Sequence, residues 1–376
     1  MALVDSLISA SFLHRGGEAC IYKVQGESSK TYSFKWYNRG VSFDEGIIGK
    51  LQKQNVPGVY RILESGTVEG RSYIIYDFVE GVPSADLSPM PLALALHSLR
   101  KVVSALQALQ GAGISHGDIN PSNVFFDGAA SPVLMDFGIV GPGVLHFSAP
   151  ERFTGAVPSE KSDLFSLGAL LYFWVSGETL LKGETFEEIR GGMEQLSSER
   201  IGLGLMDMAE SGKIALSPED LSVLDPLWKG LLQPTPESRL EDLEELDELL
   251  EIALEKLGGE GVHLARQQEQ LCESISGIIE KNGAKTLENV DLPFLKREKP
   301  SKTRKKGFYL ALVLFILILV TLASFVFFGG KGSSVDETGA LLMQKTRDSQ
   351  LQSAPDSVNM PDMEGVLERL KPEESE

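Results

Sequence analysis

The sequence predicts an α+β chain: a small β-rich part, a larger helical part and, after both, a single transmembrane helix. Three observations carry this. From Leu7 to Val79, short runs rich in β-branched and aromatic residues alternate with Gly-containing turns, the pattern of strands. From Leu92 onward, apolar residues recur three and four apart, the pattern of helices. Phe308 to Phe328 is a run of twenty-one residues without a charge, long enough to cross the hydrocarbon core of a bilayer as a helix.

Composition sets the outer bounds. A chain of 376 residues, 42% of them hydrophobic, can bury one large or two moderate cores. The formal net charge of -18 argues against a chain built to wrap nucleic acid. Cys20 and Cys272 stand far apart, which makes no disulfide framework and fits a reducing compartment for the main body. Neither has His or Cys neighbours at metal-ligand spacing, so no zinc site is expected.

Taken in order, LISASFLHRGGEACIYKV reads as a hairpin, Gln25 to Lys30 as a loop, and TYSFKWY as a third strand. A helix opening at Asp44 or Glu45 puts Ile47, Ile48 and Leu51 on one face. Val59 to Val79 supplies two or three more strands, ending in RSYIIYDFVEG. Leu92 to Gly111 is a helix with Leu92, Leu96, Leu99, Val102, Val103, Leu106 and Leu109 in register. Asn123 to Phe126 and Pro132 to Met135, joined around Asp127 and Gly128, form a hairpin that carries Asp136 back beside Asp118 and Asn123. A strongly apolar helix follows from Ser162 through Trp174. A last helix, Pro236 to Leu257, turns Leu240, Leu243, Leu246, Leu250 and Leu254 inward. The polar stretch from Gly258 to Asp291, helical in part, reads as a connecting stalk.

Two motifs in the middle of the chain carry chemistry. They are His116-Gly117-Asp118-Ile119-Asn120-Pro121-Ser122-Asn123 and Asp136-Phe137-Gly138. In order and spacing they resemble the catalytic loop, H-R-D-L-x-x-x-N, and the metal-binding D-F-G of the protein kinase family. Phosphoryl transfer needs a carboxylate near the acceptor hydroxyl, oxygen ligands for Mg²⁺ and a rigid frame between them. Asp118 and Asn123, five apart on one loop, can face the same phosphates.

The resemblance extends over residues 7–257 and implies the bilobal protein kinase-like fold, with ATP and Mg²⁺ as cofactors and a protein as substrate. In the glycine-rich loop His14 stands at the first Gly position, Gly16 matches the second, Ala19 stands at the third and Ile21 at the following Val; Gly17 lies in the same turn. Lys35 falls at the lysine that pairs with the α and β phosphates, with Asp44 or Glu45 as its acidic partner. Asp77, Phe78 and Val79 match the hinge that pairs with adenine, and Tyr76 the residue behind the adenine pocket. By the same resemblance Asp118 is the catalytic carboxylate, and Asn123 and Asp136 are the metal ligands. Asp163 holds the catalytic-loop backbone, and Glu151 of Ala149-Pro150-Glu151 pairs with Arg239.

The departures are as specific as the matches. Asn120 stands in place of the catalytic-loop lysine and Val144 in place of the threonine that bonds that lysine and the catalytic Asp. Both changes touch the acceptor side, while Lys35, Asp118, Asn123 and Asp136 keep the ATP and metal side. Losing one charge-assisted contact costs about 2 to 4 kcal/mol of transition-state stabilisation, which slows transfer without abolishing it. Gly117 replaces the arginine that binds a loop phosphate, and the short segment after Gly138 offers only Ser148, so no switch by loop phosphorylation is expected. Three functions remain open at this point: a Ser/Thr protein kinase, a pseudokinase that binds nucleotide or partners as a scaffold, and a kinase of small molecules.

Beyond the body, residues 258–306 read as a linker with a basic juxtamembrane end, 307–329 as the transmembrane helix and 330–376 as a short acidic tail, unfolded alone. Lys296 to Lys306 holds seven basic residues and one acid, against a lone Lys331 beyond the apolar run. The positive-inside rule then places the body in the cytoplasm and the tail outside, where it would dock to another protein.

Overall fold

A computed structural model of the chain describes residues 2–137, 143–258, 262–283 and 287–296. Strands β1 (Leu7–Arg15), β2 (Ala19–Gly26), β3 (Thr31–Tyr37), β4 (Ile62–Val68) and β5 (Arg71–Asp77) make an antiparallel sheet in the order β1-β2-β3-β5-β4. Alternation along β3 decides what each face does. Tyr32, Phe34 and Trp36 enter an aromatic core of the small lobe with Tyr22 and Tyr73, whereas Tyr37 joins the core shared with the large lobe, on the side of Lys35. The short helix α1 (Glu45–Leu51) buries Ile48 and Leu51, and the Asp44 carboxylate caps it by accepting from the Ile47 N–H at 3.0 Å.

From β5 the chain crosses to β6 (Gly81–Pro83), which pairs with β7 (Val124–Asp127), itself paired with β8 (Pro132–Leu134). Between them runs α2 (Leu92–Gln110). By length and composition α2 is apolar enough to cross a membrane, but Leu96, Leu99, Val103, Leu106 and Leu109 are buried in the large-lobe core. The lobe is completed by α3 (Pro150–Phe153), α4 (Glu160–Ser176), α5 (Phe186–Met193), α6 (Ser198–Glu210), α7 (Pro218–Leu231) and α8 (Leu243–Lys256). Helix α4 is buried almost all round, from Ser162 to Ser176, because its sequence is apolar on every face.

Two expectations change. The last leucine-rich helix begins at Leu243 and not at Pro236: Pro236–Ser238 is one 3-10 turn, Arg239 is extended, and the Asp242 side chain caps the helix by accepting from the Glu244 and Glu245 N–H groups, each at 2.9 Å. The second correction is larger. The expected stalk is part of the body. Helix α9 (Val262–Gly283) buries Leu264, Leu271 and Ile275 and lies against α2 and β6. Residues 288–296 then run along β1, with the Phe12 N–H donating to Glu288 O at 2.9 Å, Val290 N–H to Ala10 O at 2.9 Å and Lys296 N–H to Leu7 O at 2.7 Å. Among the described residues, the compact unit accordingly takes in everything through Lys296. The expected transmembrane helix, 307–329, and tail, 330–376, lie outside the described residues.

Candidate active site

The catalytic loop is held from two sides. Asp163, from the first turns of α4, accepts the N–H groups of His116 at 2.7 Å and Gly117 at 2.8 Å. Burial pushes the Asp163 carboxyl up to about 7, and these two donors oppose the shift. The imidazole of His116 accepts the Asp118 N–H at Nδ1 (3.2 Å) and donates from Nε2 to Met135 O (2.9 Å), so both nitrogens are committed to the backbone. Burial lowers its pKa to about 4. Its ring packs on Phe137, 4.2 Å between centroids, and Phe137 packs on Tyr60 at 6.1 Å. Gly117 has φ +79°, and a Cβ there would stand 2.8 Å from the Pro158 ring. An arginine does not fit this turn, which explains the glycine at that point of the motif.

Asp118 is the centre of the site and is nearly buried, with 6% of its surface exposed. Its Oδ2 accepts from Asn123 Nδ2 at 2.7 Å and its Oδ1 from the Val144 N–H at 2.8 Å. Gly143 makes that second bond possible. Its φ is +75°, and a Cβ would stand 2.4 Å from Asp118 Oδ1. Burial pushes the Asp118 carboxyl up to about 6, against the donors from Val144, Asn120 and Asn123. Asn120 is turned into the loop: its amide donates to Asp118 O at 3.1 Å and accepts the Ser122 N–H at 2.9 Å. With 2% exposure it braces the loop, so the structure does not place it on the acceptor side as the resemblance implied.

Asn123 and Asp136 come together through the β7–β8 register. Val124 pairs with Leu134, and the Met135 N–H donates to Asn123 O at 2.8 Å, which sets Asp136 next to Asn123. Because Asn123 Nδ2 is committed to Asp118, its Oδ1 is the oxygen left to face a ligand. Asp136 sits at φ +64°, a strained conformation for a residue with a side chain, of the kind that concentrates at functional sites. An amide oxygen and a carboxylate are hard donors, and this pair fits Mg²⁺.

Lys35 meets Asp136 directly, Nζ to Oδ1 at 2.5 Å, with its ammonium 5.0 Å from the Tyr37 ring centroid. Burial is the largest single influence and works against the lysine charge, but the Asp136 carboxylate together with Tyr37 and Tyr76 outweighs it, raising the pKa above the ordinary value. The expected partners are elsewhere. Asp44 spends its carboxylate on the N-terminus of α1, Glu45 is exposed in the first turn, and neither reaches Lys35. With only seven residues, α1 presents no carboxylate to the strand.

The nucleotide side is built by backbone. In the β1–β2 turn the Gly16 N–H donates to Ala19 O at 2.9 Å, and the Asn38 side chain donates to Gly17 O at 2.8 Å. A Cβ on Gly17 would meet nothing within 4 Å, so that side of the turn is open. Ile21 lies opposite Lys35 in the β2–β3 register. Asp77 ends β5, and its side chain pairs with Lys30 at 2.9 Å. Val79 lies between β5 and β6, where its backbone takes no partner among the described residues. Tyr76 is buried against Tyr60, 5.0 Å between centroids.

Behind the loop, Arg239 and Glu151 form a two-pronged ion pair, with both N···O distances 2.7 Å. The guanidinium also donates to Gln233 O, Lys161 O and Pro234 O, so its remaining protons are used. Arg152, which sequence reasoning passed over, is buried beside this pair, with Asp163, Glu151 and Asp118 as the acids acting on it. No periodicity marks it. The one signal was a cation next to the Ala149-Pro150-Glu151 turn in a segment packed between acids.

Comparison with known proteins agrees with this geometry. A serine/threonine-protein kinase of Mycobacterium bovis, PknE, is 24% identical over 236 residues, covering 55% of this chain and 42% of that protein. The serine/threonine-protein kinase pkn2 of Myxococcus xanthus is 33% identical over 149 residues, covering 34% and 18%, and PrkC of Bacillus subtilis is 27% identical over 146 residues, covering 34% and 22%. The chain thus spans less than half the length of these relatives. Among solved structures, the crystal structure of Rad53 residues 1–466 in complex with AMP-PNP is similar in fold, with TM-score 0.52 and 22% identity over 63% of this chain and 64% of that one. The family model described as "Protein kinase domain" matches residues 15–250, the stretch that holds Lys35, Asp118, Asn123 and Asp136, and the chain belongs to the protein kinase family.

Proposed function

We propose that this chain is an ATP-dependent protein kinase of the bacterial Ser/Thr type, held at a membrane by one span. The observation that carries the reading is the convergence of Asp118, Asn123, Asp136 and Lys35 on one side of a fixed loop. Asp118 accepts the proton of the acceptor hydroxyl. Its Oδ2 accepts from Asn123 and its Oδ1 from the Val144 N–H, and a carboxylate has about four lone-pair sites, so capacity remains for the substrate hydroxyl. A carboxyl raised to about 6 is ionised at neutral pH and closer in basicity to its task than an ordinary aspartate. Lys35 holds phosphate oxygens, and Gly16, Gly17 and Ile21 cover them. The connector at Asp77 and Val79 takes the adenine edge. Asn123 and Asp136 hold Mg²⁺, which when bound neutralises charge on the transferring phosphates. Incubating the full chain with γ-labelled ATP, Mg²⁺ and Ser/Thr and Tyr peptides tests this. Label on Ser or Thr that disappears with Asp118→Asn supports it. Nucleotide binding without transfer to any hydroxyl supports a scaffold instead.

The span is proposed from sequence: Phe308 to Phe328 is uncharged and follows the basic cluster Lys296 to Lys306. On this reading residues 297–306 are the juxtamembrane segment and 330–376 an extracytoplasmic tail that docks to another protein. Protease added outside intact spheroplasts should remove an epitope after Glu376 and spare one before Met1. The inverse pattern would separate the body from cellular ATP and reject the reading.

A further inference from the structure

β1 is the edge of the small-lobe sheet, and an open edge with an aromatic face beside it needs a cover. This chain supplies the cover from beyond the region matched by the family, residues 15–250. Residues 288–296 pair with β1 through the backbone of Leu7, Ala10 and Phe12, and Ser11 Oγ donates to Asn289 Oδ1 at 2.9 Å. Leu292 is buried in the small-lobe core, and the Phe294 ring lies 4.9 Å from Phe34 and 5.3 Å from Trp36. Lys296 closes the seam on Glu27. At the other end α9 is anchored on the large lobe by Leu264, Leu271 and Ile275, against α2 and against β6, the strand that receives the connector between the lobes. Three residues, 284–286, join the two anchors, and a stretch that short spans at most about 14 Å from Gly283 to Leu287.

We propose that α9 and residues 287–296 form a strap that ties the small lobe to the large one and restrains their opening. The strap acts on the nucleotide side, because the β1 residues it holds lie four to nine positions before Gly16. Its seam is also releasable. Val290, Phe294 and Leu295 are only half-buried, and Lys296 and Glu27 are both exposed, so Leu292 is the one buried apolar side chain of the attachment on the small lobe. That the restraint tunes nucleotide binding rests on the kinase reading above; the restraint itself does not.

The test uses the full chain and hydrogen exchange. Leu292→Ser with Phe294→Ala should speed exchange by about tenfold in Leu7–Arg15 and also in the interlobe connector, 77–83, while the amides of α4 keep their protection and show that the body is folded. Nucleotide affinity should weaken several-fold in the same variant. Ser11→Cys with Asn289→Cys, oxidised, should return both segments to wild-type exchange in the Leu292→Ser, Phe294→Ala background, and reduction should undo the rescue. Faster exchange confined to Leu7–Arg15, with the connector unchanged, would overturn the strap and leave only local packing. No change in either segment would overturn it as well. A wild-type chain that binds no nucleotide would defeat the kinase reading, and the exchange of the connector would still decide the strap.

Discussion

Lys35 pairs with Asp136, Nζ to Oδ1 at 2.5 Å, and not with a carboxylate on the helix that follows its strand. The consequence is an economy of charge: the residue proposed to hold metal also positions the lysine proposed to hold phosphate. Glu45→Gln should therefore leave Mg²⁺-ATP binding within about twofold, since an exposed carboxylate with no partner in the site contributes little. Asp136→Asn should remove the Mg²⁺-dependent part of binding. Thermal shift with Mg²⁺ and with EDTA checks both, and a large loss with Glu45→Gln would mean that Lys35 has a second partner.

Burial raises the Asp118 carboxyl to about 6. A base must be ionised to accept a proton, so single-turnover transfer should rise with pH through about 6 and level off above it. Linkage gives a second reading of the same group. Its folded pKa lies above that of the unfolded chain, so the native state binds more protons between the two values and loses stability as pH rises through about 6. Asp118→Asn should thus gain stability relative to wild type at pH 8 and not at pH 4. Equal differences at the two pH values would contradict the assigned burial effect.

Gly143 carries the Val144 N–H onto Asp118 at a φ of +75° with no room for a Cβ. A side chain in the left-handed region costs about 1 to 3 kcal/mol, and here it also meets the carboxylate. Gly143→Ala should lower transfer by about tenfold or more while Mg²⁺-ATP binding persists. Equal losses in binding and transfer would point to unfolding of the loop instead.

Arg239 and Glu151 fix the segment after the catalytic loop, and the guanidinium side chain is fully buried. Removing one partner leaves the other charge uncompensated, so Glu151→Gln should cost about 3 kcal/mol or more in denaturant unfolding. A change under about 0.5 kcal/mol would place the pair among surface ion pairs.

Much of this site was legible because chemistry restricts it. His116, Asp118, Asn123 and Asp136 are residue types that no packing argument would place at those intervals, and the hairpin between them reads from β-prone runs and a turn. What was missed was nonlocal. The alternation Tyr32, Phe34, Trp36 demanded a cover for one face of β3, and Val290, Leu292 and Phe294 alternate as a strand does, but nothing in either run names the other as its partner across more than 250 residues. The partner of Lys35 was equally hidden, because Asp44 is as good a helix cap as it is a counter-ion. Asn120 could be placed on the loop but not oriented: its amide serves Asp118 O and Ser122 N–H as readily as a substrate.

The central claim is a division of labour, with Asp118 serving transfer and Asp136 serving metal and nucleotide. One measurement separates them: bound nucleotide and transferred phosphate determined together for wild type, Asp118→Asn and Asp136→Asn, each as the full chain in detergent with γ-labelled ATP and Mg²⁺. The account predicts transfer to Ser or Thr by wild type. For Asp118→Asn it predicts binding within about twofold of wild type and transfer lower by about 10²- to 10⁴-fold. For Asp136→Asn it predicts loss of both. Asp118→Asn transferring at the wild-type rate would contradict it.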